Sequence, residues 1–134
     1  MKLTITIPIP QRLLQPNRMQ GKHWAPIGRA KKKARADAHL ATMAAMREAG
    51  IVGKPKWEPV RVQAAFTLRT SQRRDDDSLL GWLKASFDGI VDSGLTGDDS
   101  EYLHDDPTVT IGTPELVVIT VHEPTTPKGG DDDE

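Results

Sequence analysis

Residues 73–99 read RRDDDSLLGWLKASFDGIVDSGLTGDD. Within this stretch Leu79, Leu80, Leu83, Phe87, Ile90 and Val91 recur at helical spacing, and Gly94 follows as a stop signal. The pattern predicts one amphipathic helix over 76–93. Two arginines and three aspartates stand directly before it, and the pair Asp98-Asp99 follows it. Asp75 and Asp77 alternate at a strand-to-helix junction, a placement that aims two carboxylates at one point. The loop after the helix can fold back and bring the second acidic pair to the same place.

Moving toward the N-terminus, Pro59 to Thr70 alternates through Val60, Val62, Ala64, Phe66 and Leu68 and predicts a strand. Arg29 to Ala49 is rich in Ala, Lys, Arg and Met and predicts a long helix stopped near Gly50. Its first turns are basic (Arg29, Lys31, Lys32, Lys33, Arg35), and its later turns carry an apolar stripe at Leu40, Met43, Ala44 and Met46. Lys2 to Ile9 alternates as a further strand, and prolines bracket the loop between it and the helix. Toward the C-terminus an acidic loop spans 97–106, with a short extended piece at Tyr102-Leu103. Strands follow at Thr108 to Ile111 and Glu115 to Val121. The order is strand, helix, strand, helix, strand, strand. It predicts an α/β (α+β) fold, a small mixed sheet packed with two main helices, in one domain over 1–122. Residues 123–134 read as a disordered acidic tail.

The chain has 134 residues and no cysteine. Thiolate zinc sites, disulfides and a cysteine nucleophile are thereby excluded, and a reducing cytoplasm is the expected setting. No stretch approaches the roughly 18 apolar residues of a membrane helix, so no membrane association is expected. The net charge of −1 hides an asymmetry. Residues 1–74 hold 16 Lys/Arg against 3 Asp/Glu, while residues 75–134 hold 2 against 16. A cationic half suits a polyanion such as DNA, and a carboxylate-rich half suits a divalent cation.

Two carboxylates about 4 Å apart repel by roughly 4 kcal/mol at an effective dielectric near 20, so three that converge need a cation or protons. Hard oxygen donors select magnesium or manganese over zinc or copper. The same residues also fit a plain alternative, a capped helix beside a solvated loop. Taken alone, the residues leave both open. His104, beside Asp105-Asp106, reads as an exposed histidine rather than a ligand.

Arg73-Arg74-Asp75-x-Asp77-Ser78-Leu79, Lys84-Ala85-x-Phe87-Asp88 and Gly94-Leu95-x-x-Asp98-Asp99 together resemble the core motif of the RusA-type Holliday junction resolvases. Pro16-Asn17-Arg18 and His23-Trp24, ahead of a basic helix, resemble the phage-borne branch of that family. The resemblance implies a homodimeric endonuclease that cuts four-way DNA junctions with magnesium, for which manganese can substitute. It implies metal ligands at Asp75, Asp77 and Asp99 and a catalytic lysine at Lys84. Arg73, Arg74, Lys31, Lys32, Lys33, Asn17, Arg18 and His23 are then the candidate DNA contacts, with Trp24 in the groove or the core. The implied setting is a bacterial host or a phage-infected cell. A nuclease of the same fold acting on flaps or forks, and a branched-DNA-binding module without catalysis, are the alternatives.

Two positions depart from the family pattern. Ser78 stands where the family has Asn; both can cap a helix. Three extra residues, about Leu80 to Trp82, separate the acidic run from Lys84, which sits seven residues after Asp77 rather than four. On a continuous helix both spacings return to nearly the same face, with Lys84 about 4.5 Å further along the axis.

Overall fold

The computed structural model describes residues 1–16, 24–70 and 76–124. Strand β1 spans Lys2–Pro8, helix α1 Trp24–Ala49 and strand β2 Val60–Leu68. Helices α2 (Asp76–Trp82) and α3 (Lys84–Asp92) follow, then β3 (Tyr102–His104), β4 (Thr108–Ile111) and β5 (Leu116–His122). One-turn 3-10 helices lie at Arg12–Leu14 and Asp99–Glu101. The result is a mixed α+β fold around a five-stranded mixed sheet. Among the described residues no helix is long and apolar enough to cross a membrane.

Strand β5 lies between β1 and β2 and is antiparallel to both. The other edge of β2 carries two short parallel partners in succession, β3 along Val60 to Val62 and β4 along Ala65 to Leu68. Alternation explains the layering. Leu3, Ile5 and Ile7, Val62, Ala64 and Phe66, and Val117, Ile119 and Val121 all face the core. Thr4, Thr6, Gln63, Thr67 and Thr120 lie on the opposite, wetter face. One dry and one wet face is the arrangement that produces period-2 patterning.

Helix α1 begins at Trp24, five residues before the expected start at Arg29. Pro26 falls in the first turn, where its missing N–H has no intrahelical partner to lose. The helix ends in a Schellman closure at Gly50, whose φ is +75°. The Gly50 amide donates to the Arg47 carbonyl at 3.2 Å and the Ile51 amide to that of Met46 at 2.9 Å.

The core stripe of α1 differs from the expected one. Ala30, Ala34, Ala38, Thr42 and Met46 are buried, whereas Leu40 is 70% and Met43 40% exposed, and Ala44 is exposed too. The reason lies across the interface. A Cβ on Gly89 of α3 would collide with the Arg35 carbonyl and lie 3.0 Å from the Cβ of Ala38. The two backbones touch, so the facing stripe is built from small residues and the larger side chains turn outward.

The single helix expected over 76–93 is two helices. Leu83 adopts φ −95°, ψ 5°, and its amide donates to the Leu80 carbonyl at 3.0 Å in a tighter turn. The apolar residues keep their helical period through this break: Leu79, Trp82, Leu83, Phe87 and Ile90 are all buried. Trp82 stacks on Phe66 at 5.8 Å between ring centroids, and its indole N–H donates to the Gln11 carbonyl at 3.0 Å. Gly81 leaves room for Pro16, whose Cγ would be 2.9 Å from an added Cβ. The extra residues before Lys84 therefore belong to α2, with Trp82 in the core and Leu80 and Gly81 half-buried, and do not form a surface loop.

Replacing Gly89 by Ala should cost about 1–3 kcal/mol of stability, the range for overpacking a tight core. The upper end is expected, because the obstacle is backbone. A lowered urea midpoint without a change in slope is the expected result. An unchanged midpoint would show that the helices separate freely.

Candidate active site

Lys84, Asp88 and Asp99 meet where α3 faces the 98–101 turn, and Asp77 stands on α2 before them in the chain. Asp77 lies in the first turn of α2 and is exposed. Lys84 is the first residue of α3 and Asp88 stands one turn further on. Asp99 opens the 3-10 turn that leads into β3. The Lys84 ammonium donates to Asp99 Oδ2 at 2.8 Å and to Asp88 Oδ1 at 2.9 Å. Residues fifteen positions apart are thus joined through one cation. Hydrogen bonding to Asp99, and then to Asp88, raises the Lys84 pKa above the ordinary lysine value, so the group is a cation at any physiological pH.

The two halves of the Asp98-Asp99 pair have different jobs. Asp98 caps the turn: its Oδ1 accepts the Ser100 amide at 3.1 Å. That bond, followed by its contact with Asp99, holds its carboxyl below the usual carboxylate range. Asp99 is left to face Lys84, with 15% of its side chain exposed.

The ends of the acidic loop are tied together beneath it. The Thr96 and Tyr102 hydroxyls share a buried hydrogen bond of 2.6 Å. The Tyr102 ring meets Phe87 edge-on at 5.7 Å, and His104 packs against both rings at 5.1 and 5.9 Å. Burial pushes the Tyr102 phenol up to about 12, with the Thr96 hydrogen bond opposing. Burial likewise lowers the His104 pKa, and Asp99 partly offsets it. His104 is exposed, as expected, while one side of its ring packs against Phe87 and Tyr102.

Upstream, a second ion pair anchors the exit of β2. Arg12 donates to both oxygens of Glu115, at 3.3 and 2.8 Å, and Glu115 also accepts the Arg69 amide at 2.8 Å. Glu115 is held below its ordinary range by Arg12 first and Arg69 second. This clamp fixes the C-terminal end of β2.

Of the expected site residues, Lys84 and Asp99 are brought into contact, and Asp77 is presented to solvent. The expected helical path from Asp77 to Lys84 is interrupted at Leu83, so the two do not share one helix face. Asp75, Arg73, Arg74, Asn17, Arg18 and His23 lie outside the described residues. Trp24 is 83% exposed, which removes it from the core. Lys31, Lys32 and Lys33 are exposed on α1. Lys33 pairs with Asp37 at 2.8 Å, and Arg35 forms a two-pronged pair with Asp92 at 2.6 and 2.8 Å. Among the described residues Arg29, Lys31 and Lys32 carry no ion pair, leaving their charge for an outside partner.

Among the described residues no three His, Cys, Asp or Glu side chains form a metal-holding group, and Asp75 lies outside them. The donors present are of the right kind for a hard divalent cation. Asp77 and Asp99 offer carboxylate oxygens, and one cation, the Lys84 ammonium, already sits on Asp99. Thr96 and Tyr102 carry no sequence signal as partners, whereas Asp88 stands at the four-residue spacing that pairs charges on a helix. No protein-family model and no curated protein matches the chain.

Tyr102 is the sole tyrosine, so an ultraviolet titration reads it directly. Its folded pKa is raised, so its contribution to stability is complete below about pH 10, the unfolded value, and is lost as the pH rises toward 12. Ionisation in the native protein should be delayed toward pH 12 and should fall to about 10 in denaturant. A native titration near 10 would mean that the Tyr102 phenol is open to solvent rather than buried.

Proposed function

We propose that this chain is a magnesium-dependent endonuclease of the RusA type that resolves four-way DNA junctions as a homodimer. The observation that carries the reading is the 2.8 Å contact between Lys84 and Asp99. These two residues match the family's catalytic lysine and third aspartate by sequence order alone. Their meeting across α3 and the acidic turn is what a shared site requires, in spite of the added residues.

In this reading Asp75, Asp77 and Asp99 hold the cation, magnesium or manganese. The chemistry it supplies when bound is polarisation of a phosphodiester and activation of a water nucleophile. Lys84 places a compact positive charge beside Asp99, where it offsets charge that develops on the phosphoryl oxygens. Arg29, Lys31 and Lys32 present unpaired charge along α1 for the DNA backbone, and Arg73 and Arg74 adjoin the carboxylates in sequence. A two-fold dimer matches the symmetry of a four-way junction and supplies two sites for paired nicks. A second reading, a branched-DNA-binding module without catalysis, draws on the engagement of Lys84 by two carboxylates.

Nicking of an end-labelled four-way junction, with and without magnesium, separates the readings. Paired, magnesium-dependent nicks are expected on the junction, with less cutting of flaps, forks and linear duplex. Asp77→Asn and Asp99→Asn should each abolish cleavage and leave binding intact or tighter. Lys84→Ala should lower the single-turnover rate by about 10²–10³-fold, the scale of one preorganised electrostatic donor. Binding without any cleavage would favour the inactive module, and preference for a flap or fork would replace the junction as substrate.

Affinity for the junction should also fall steeply with salt, on a slope of about −0.9 per phosphate contact on duplex arms. Changing Lys31 and Lys32 together to Ala should flatten that slope by about two contacts' worth. An unaltered slope would move the DNA to another face.

A further inference from the structure

We propose that Asp88 is a positioning residue, which retains the Lys84 ammonium at the site when Asp99 turns to a divalent cation. The inference rests on the metal-nuclease reading above and adds to it a residue with no assigned role there. Lys84 is 64% exposed, so packing does little to keep its long stem in place. What holds it are two carboxylates, Asp99 at 2.8 Å and Asp88 at 2.9 Å. A divalent cation on Asp99 repels the ammonium bound to the same carboxylate. The lysine then has two destinations, bulk water or Asp88.

Asp88 is built to receive it. It lies four residues after Lys84 on α3, the spacing at which helical charges meet. Its own backbone is immobilised, because the next residue, Gly89, is seated against the Arg35 carbonyl and Ala38 of α1. One turn further on, Asp92 is engaged by both prongs of Arg35. Asp88 therefore does not lose Lys84 to a competing pair, and its partner stays on the side of α3 that faces Asp99. Cation binding moves Lys84 from a position shared between two carboxylates to one held by Asp88 alone.

The test reads manganese binding to the full-length protein in the absence of DNA, by paramagnetic resonance or calorimetry, in a double-mutant cycle of Asp88→Asn and Lys84→Ala. Lys84→Ala should tighten manganese binding, because it removes a competing cation from Asp99. Asp88→Asn alone should weaken it about twofold, the scale of one exposed ion pair between residues four apart. In the Lys84→Ala background the same Asp88→Asn change should have no effect. Asp88→Glu should restore binding in the otherwise native protein. Single-turnover cleavage by Asp88→Asn should fall about tenfold, part of the loss expected for removing Lys84 itself. An equal loss of manganese affinity in both backgrounds would reduce Asp88 to general negative charge and overturn its positioning role while leaving the metal reading intact. Absence of manganese binding to the native protein at millimolar concentration would overturn both.

Discussion

The contact on which the site depends lies away from it: Gly89 of α3 against α1 at Arg35, Ala38 and His39. An added Cβ has no space there, since the Arg35 carbonyl occupies it. With the backbones in contact, the position of α3 along and around its axis is set by packing, which tolerates little displacement. Lys84, Asp88 and Asp92 lie on the outer side of a helix fixed in this way. The Arg35–Asp92 pair crosses the same interface. Exposed ion pairs contribute little by themselves, so the pair selects an orientation that the close packing already enforces.

The acidic turn is fixed by a different device. Loop backbone has no ladder of its own, and the 97–101 segment meets the solvent. It is held at its base, where Thr96 and Tyr102 join hydroxyls in a buried hydrogen bond and Tyr102 begins β3 alongside Val60. Phe87, on α3, forms the edge against which the Tyr102 ring rests. The helix that carries Lys84 and the turn that carries Asp99 thus share an aromatic contact directly beneath their ion pair. The pair is exposed and weak; the aromatic base beneath it is dry.

How much of this was legible depends on what the residues pack against. The strands at Val60–Leu68 and Leu116–His122 were readable because the sheet has one wet face, so alternation survives in the residue types. Strand β4 was read with its observed ends. Helix α1 was readable as a helix but not as a surface. Leu40 and Met43 look like core, and alanines look like spacers, yet close helix packing inverts that ranking. The break at Leu83 was hidden for a related reason: the apolar period runs straight through it, and Gly81 is the sole local hint. For the site, acidity and order pointed to Asp77, Lys84 and Asp99, and helical spacing pointed to Asp88. The Thr96–Tyr102 clamp joins two ordinary polar residues, and nothing in their types announces it.

The break at Leu83 also changes what the extra residues before Lys84 mean. On one rigid helix, three added residues would keep the lysine on nearly the same face but carry it about 4.5 Å further along the axis. Here the added residues are absorbed ahead of the break. Trp82 enters the core against Phe66, and a new helix starts at Lys84. The position of Lys84 is consequently set by α3, through Gly89 and Phe87, and not by its distance in sequence from Asp77. Asp99 is referenced to the same helix through Tyr102. Lysine and aspartate can therefore keep their mutual geometry while the length of chain before them varies, and Asp77 is carried separately, exposed in the first turn of α2. The contact between Lys84 and Asp99 is thus independent of the spacing between Asp77 and Lys84 counted along the chain.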